Sequence, residues 1–168
     1  MLQFEYQHIF NYAFIDVINA YEQRFSGDVI KELKNVKLLD KYLTNDELHV
    51  IKRELYTSMP LPNQITAIIG YDDIVFLHTM TIDYENEILI INIKNKSLES
   101  CIKFEEICVF KSIKLDEKNV TNYSHSSMLT VNIFPFINSM LENFWYSIYK
   151  GKYDDGTYCE KIYQFLQE

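Results

Sequence analysis

"IVFLHTMTIDYENEILIINI", residues 74–93, is the stretch that decides the fold. Ile74, Phe76, His78, Met80 and Ile82 stand at every second position, and Leu89, Ile91 and Ile93 repeat the spacing. Successive side chains of a strand point to opposite faces, so a period of two predicts two half-buried strands. "DYENE", residues 83–87, is the turn between them.

A third strand begins near Cys101 in "CIKFEEICVF", residues 101–110. Ile102 and Phe104 share a face, but Ile107 and Phe110 follow at steps of three. That change of step predicts that the strand stops or bulges at Glu105-Glu106. Adjacent strand residues face opposite ways, so the two carboxylates converge only if a bulge re-aims one of them. "DEKNVTNYSHSS", residues 116–127, is polar and aperiodic and reads as a long loop. "MLTVNIF" then supplies another strand, broken by Pro135.

The flanks read as helices. Over residues 3–25, Phe10, Phe14, Val17, Ile18 and Tyr21 recur at three- and four-residue steps, and Ser26-Gly27 ends the segment. Residues 28–42 continue with Val29, Leu33, Val36 and Leu39, while Lys31, Lys34, Lys37 and Lys41 form an opposite, solvated stripe. Thr44 and Glu47 have the spacing of a capping box, which predicts a third helix through about Tyr56. Pro60 and Pro62 then interrupt the pattern. After Pro135, Ile137, Met140, Leu141, Phe144, Trp145 and Ile148 predict a helix stopped by Gly151. Thr157 and Glu160 would open a short last helix carrying Ile162, Phe165 and Leu166. The expectation is one α+β domain over 1–168: helical 1–58, connector 59–64, strand-rich 65–134 and helical 135–168. Its N-terminal helices pack against a mainly antiparallel sheet, with further helices at the C-terminus.

A chain of 168 residues supports one core that buries about 70% of the unfolded surface. Aromatic residues make up 15% of it, with 13 Tyr, 11 Phe and 1 Trp, so disorder is not expected. The net charge of −8 repels nucleic acid and anionic membrane and attracts basic partners. Only Arg24 and Arg53 among the 16 basic residues carry the planar fork suited to phosphates. Cys101, Cys108 and Cys159 are odd in number and lack CxxC spacing, which fits a reducing cytoplasm. With no basic n-region and no uninterrupted apolar run near 18 residues, neither a signal peptide nor a membrane span is expected.

No strong catalytic or cofactor motif stands out. Asp83, Glu85 and Glu87, with Asp72, Asp73 and His78 nearby, could gather a divalent metal for hydrolysis, but acidic turns are commonly just solvated. His78 shares its face with Phe76 and Met80 and reads as a hydrogen-bonded core histidine. Ser124-His125-Ser126-Ser127 lacks a nucleophile elbow and reads as chance in a loop. Apolar surroundings should raise the thiol pKa of Cys101 and Cys108. Four isolated glycines offer no phosphate-binding loop, so no cofactor, metal site or catalytic residue is expected. What remains is the gathering of carboxylates at turns beside Tyr71, Tyr84, Tyr123, Tyr153 and Tyr158, which suits either a protein interface or simple solubility.

In "YDDIVFLHTMTIDYENEILIINIKNKSLESCIKFEEICVF", residues 71–110, an aspartate pair, two alternating strands around "DYENE" and Ile102-x-Phe104-x-x-Ile107 follow in order. This region, about a quarter of the chain, resembles the sheet of small immunity proteins that protect bacteria from their own toxins, including those of contact-dependent growth inhibition. The resemblance implies a cytoplasmic, non-enzymatic toxin inhibitor. Asp83, Tyr84, Glu85, Glu87, Glu105 and Glu106 would then face a basic nuclease domain, with no nucleic acid or membrane as partner. The alternatives are a metal-dependent hydrolase using Asp83 and Glu87, and a phage or viral acidic inhibitor of a host defence protein.

Overall fold

The expected hairpin is present: β4 (Asp73–Asp83) pairs antiparallel with β5 (Ile88–Asn95), Met80 opposite Ile91. A computed structural model of the chain describes residues 1–25, 30, 32–58, 67, 70, 73–154 and 157–166, so the expected 59–64 connector lies outside the described residues. Around the hairpin stand β1 (Leu2–Phe10), β2 (Leu33–Leu43), β3 (His49–Ser58), β6 (Ile102–Leu115) and β7 (Lys118–Val131). The helices are α1 (Phe14–Gln23), α2 (Pro135–Asp154) and α3 (Thr157–Leu166). All seven strands form one antiparallel sheet in the order β1-β7-β6-β5-β4-β3-β2. The α+β class with a mainly antiparallel sheet is therefore correct.

The first third is mostly strand, not helix, and the reasons are local. In β1, Leu2, Phe4, Tyr6, His8 and Phe10 turn inward in alternation with Gln3, Glu5, Gln7 and Ile9. Only Phe14, Val17, Ile18 and Tyr21 bury a true helical face, that of α1. Of the expected helix over 28–42, the part from Leu33 onward is β2, an edge strand with Leu38 and Leu43 exposed, while residues 28, 29 and 31 lie outside the described residues. Its pairing with β3 is interrupted by register shifts between Leu33 and Asn35 and between Leu38 and Asp40. Each shift lengthens a two-residue step to three, which imitates helical spacing. The Thr44-to-Glu47 signature closes the β2–β3 hairpin: Thr44 Oγ1 accepts the Leu48 amide at 3.1 Å, and Glu47 adopts φ 59.

β6 also departs from expectation. It runs through Glu105-Glu106 without a bulge, its inward residues being Ile102, Phe104, Glu106, Cys108 and Phe110. Ile107, read as inward, is 46% exposed. The loop expected at 116–127 shrinks to the turn Asp116-Glu117, and the rest is β7, with Tyr123, His125 and Ser127 buried. Gly151 does not end α2, which continues to Asp154.

The helices cover one face of the sheet and divide the core into two apolar groups. Beneath α1 and α3 lie Phe10, Met80, Leu89, Ile91 and Phe110; beneath α2 lie Leu55, Phe76, Phe104 and Leu129 with Trp145. Strand register places a row of mostly polar residues between the two groups: Arg53, His78, Ile93, Glu106, Ser127 and Phe4, from β3 across to β1.

A candidate binding cleft and its buried polar cluster

α2 packs against β1 and β7, leaving a cleft between its inner face and the β3–β6 half of the sheet. Two cavities occupy it, of about 100 Å³ and about 290 Å³, and both are bounded by Phe76, Phe104, Ile148 and Tyr149. The smaller is walled by Ile74, Val131, Leu141 and Trp145. Its polar lining residues are already engaged. Asn95 donates to Ser97 O at 2.7 Å and Ile102 O at 2.8 Å and accepts from the Phe104 amide, while Ser97 Oγ accepts the Val75 amide. The larger cavity reaches the polar row at Glu106 and has Glu32 and Thr57 on its wall. An apolar cavity with a few convergent polar groups is the usual form of a small-molecule site.

Glu106 is the hub of the buried polar cluster. The Tyr149 hydroxyl donates to its Oε2 at 2.7 Å, and the Cys108 thiol donates to its Oε1 at 3.4 Å. His125 Nε2 stands 3.5 Å from Oε2, at ion-pair distance but without hydrogen-bond alignment. Burial alone would raise the Glu106 pKa, but His125, Tyr149 and Cys108 together outweigh it and hold the carboxyl down at about 2. Burial, with the charge of Glu106 added, pushes both the Cys108 thiol and the Tyr149 hydroxyl well up, so both keep their protons and donate. The His125 ring stacks beside both Tyr149 and Tyr153, at 5.7 and 4.9 Å between centroids.

The other end of the polar row is a separate network. Arg53 makes a two-pronged ion pair with Glu22 of α1. His78 is fully buried and hydrogen-bonded to the Tyr21 hydroxyl at 3.1 Å, which is the core role expected of it. Burial first, then the nearby Arg24 and Arg53 cations, lower its pKa to about 3.

The residues singled out from the sequence are scattered. Asp83, Tyr84, Glu85 and Glu87 share the β4–β5 turn, where both Asp83 oxygens accept hydrogen bonds from Asn86, at 2.9 and 2.8 Å. Those bonds lower the Asp83 pKa. Tyr84 sets its ring edge-on to His49 at 5.0 Å. Glu105 lies on the outer face, paired with Lys94 at 3.1 Å. Lys94 is six residues along β5 from the turn-proximal Ile88, roughly 20 Å at the rise of a strand. Glu106 points the other way and is buried, so it does not face outward as expected. From the sequence, Cys108 is expected only to have a raised thiol pKa and His125 to sit by chance in a loop, and Tyr149 is not among the expected site residues. Their only signal in the sequence is alternation, Glu106-x-Cys108 and Tyr123-x-His125-x-Ser127, written in polar residues.

Solved structures share this architecture at low sequence identity. Protein TTHA0849 from Thermus thermophilus aligns with TM-score 0.58 and 9% identity over 98% of this chain and 94% of its own. Ara h 8.0201 gives 0.58 and 10% over 99% of both chains. The Zhui aromatase/cyclase from Streptomyces sp. R1128 gives 0.54 and 9% over 98% and 93%. At such identities the likeness is one of fold. The immunity assignment, its toxin partner and the alternatives built on the same acidic residues are overturned by a family match spanning most of the chain. Residues 16–164 fit the model of the PRELI-like family, and the chain belongs to that family.

Proposed function

We propose that the chain binds a lipid or another largely apolar small molecule in the cleft between α2 and the sheet, as a binding protein and not as a catalyst. The observation that carries this reading is the cleft itself. Its walls are Phe76, Phe104, Trp145 and aliphatic side chains, and its polar residues at the narrow end are consumed by the fold. Membership of the PRELI-like family and the fold support ligand binding. The larger cavity alone is near the lower end of the roughly 300–1,000 Å³ of small-molecule sites, so an elongated ligand would occupy both. The raised thiol of Cys108 argues against a nucleophilic role, because the thiolate is the reactive form. No described helix is long and apolar enough to cross a membrane.

Trp145 is the only tryptophan and lines the cleft, so it is a built-in reporter. A fatty acid or phospholipid carrying a nitroxide on its acyl chain should quench its emission saturably, and an unlabelled competitor should restore it. Val131→Phe, which fills the narrow cavity, should weaken the quenching at least tenfold. Quenching that never saturates, or that Val131→Phe leaves unchanged, would reject the cleft as the binding site.

A further inference from the structure

We propose that Glu106, Cys108 and His125 form a buried site for one divalent transition-metal ion, with zinc as the best fit. One ligand atom from each lies within 4.8 Å of the others. Cys108 Sγ is 3.4 Å from Glu106 Oε1, and His125 Nε2 is 3.5 Å from Glu106 Oε2. Ligands of a tetrahedral zinc, about 2.0–2.3 Å from the metal, stand roughly 3.3–3.6 Å from one another. The sulfur and the imidazole nitrogen each stand at that spacing from the Glu106 carboxylate, one from each of its oxygens, and all three ligand atoms lie within 4.8 Å of one another.

Their positions are fixed by the sheet. Glu106 and Cys108 are two residues apart on β6 and share its inner face, and Cys108 is paired in register with His125 on β7. One thiolate, one imidazole and one carboxylate form a mixed set that suits zinc better than magnesium or calcium, which take oxygen ligands.

The second observation is the histidine. His125 is 2% exposed, and among the described residues neither of its ring nitrogens has a hydrogen-bond partner, although Nε2 lies 3.5 Å from the Glu106 carboxylate. A buried polar group left unsatisfied destabilises the fold, and a metal bound at Nε2 would remove that deficit on one side of the ring. The Tyr149 hydroxyl on Glu106 and the Tyr123 hydroxyl, 3.4 Å from Cys108 Sγ, are placed to orient the ligating carboxylate and sulfur. On binding, the Cys108 thiol gives its proton to solvent and the sulfur coordinates as thiolate. The larger cavity reaches Glu106 and provides the way in. This inference does not depend on what the cleft binds.

The test is titration of the reduced, chelator-treated full chain with Co²⁺ and then Zn²⁺. One equivalent of Co²⁺ should saturate an intense tetrahedral d–d absorption together with a thiolate-to-cobalt charge-transfer band, and Zn²⁺ should bleach both. Cys108→Ser should lose the charge-transfer band, His125→Gln should weaken binding at least tenfold, and Cys101→Ser and Cys159→Ser should change neither. X-ray absorption of the zinc-loaded wild-type chain gives a reading without substitutions: one sulfur with nitrogen and oxygen neighbours is expected. No saturable binding by the wild-type chain, a thiolate band that survives Cys108→Ser, or a zinc shell without sulfur would overturn the site.

Discussion

The Tyr149 hydroxyl and Glu106 Oε2 stand 2.7 Å apart, and this hydrogen bond ties α2 to the floor of the sheet. It joins the helix that closes the cleft to the carboxylate that the larger cavity reaches. A hydrogen bond to a charged group contributes about 1.5–3 kcal/mol. Tyr149→Phe removes only the hydroxyl and keeps the ring contact with Trp145, 4.6 Å between centroids. It should therefore lower unfolding stability in urea by about 1.5–3 kcal/mol and speed hydrogen exchange of α2 amides more than those of β4. An unchanged stability would mean that apolar packing alone holds α2.

Glu105 and Glu106 are neighbours in sequence with opposite fates, and a pair of alanine variants should show it. The Lys94–Glu105 bridge is solvent-exposed on both sides, 57% and 46% by side chain, so Glu105→Ala should stay within about 1 kcal/mol of wild type. Glu106→Ala strips the partner from Tyr149, Cys108 and His125 in the interior and should cost about 3–5 kcal/mol. Equal effects in a urea titration would contradict the inward placement of Glu106.

How much was legible follows from what each inner face is made of. β4 and β5 present aliphatic and aromatic residues inward, so Ile74 through Ile93 announced a hairpin. The helical faces of α1 and α2 were equally plain. Elsewhere the site itself hid the fold. Glu106 takes a core position on β6, so the apolar count skipped to Ile107 and invented a bulge; His125 and Ser127 take core positions on β7, so a strand looked like a loop. β2 failed for another reason, because as a bulged edge strand it has little apolar face to display. Local rules that break at functional positions are expected when polar groups are kept inside for a purpose.

The turn joining β6 to β7 offers a test of that long hairpin. Leu115 pairs with Lys118 across Asp116 (φ 46) and Glu117 (φ 66), so both turn residues are left-handed. Two-residue turns of this kind favour Asn-Gly, since a left-handed conformation costs an ordinary residue about 1–2 kcal/mol. The double variant Asp116→Asn, Glu117→Gly should raise stability by about 1 kcal/mol, less than the full relief because glycine also loosens the unfolded chain. A loss of stability in thermal or urea unfolding would place the turn at a different register.

Acid sensitivity should come in two stages, set by His78 and Glu106. His78 falls from the ordinary 6.5 to about 3 through burial and then the Arg24 and Arg53 cations. Below about pH 6.5 the unfolded chain therefore takes up a proton that the folded chain refuses, and stability declines as pH falls. Each such proton contributes a slope of about 1.4 kcal/mol per pH unit. Glu106 falls from 4.5 to about 2, because its His125, Tyr149 and Cys108 partners outweigh burial. Its contribution is complete above about 4.5 and is lost on the way down to about 2, so the slope should steepen below about 4.5. His8, which burial also lowers, adds to the first stage. His78→Gln keeps an acceptor for the Tyr21 hydroxyl but cannot titrate, so urea midpoints at pH 7, 6 and 5 should converge in that variant without becoming identical. A wild-type slope in His78→Gln would show that His78 binds its proton as readily folded as unfolded and would overturn its assignment to the first stage.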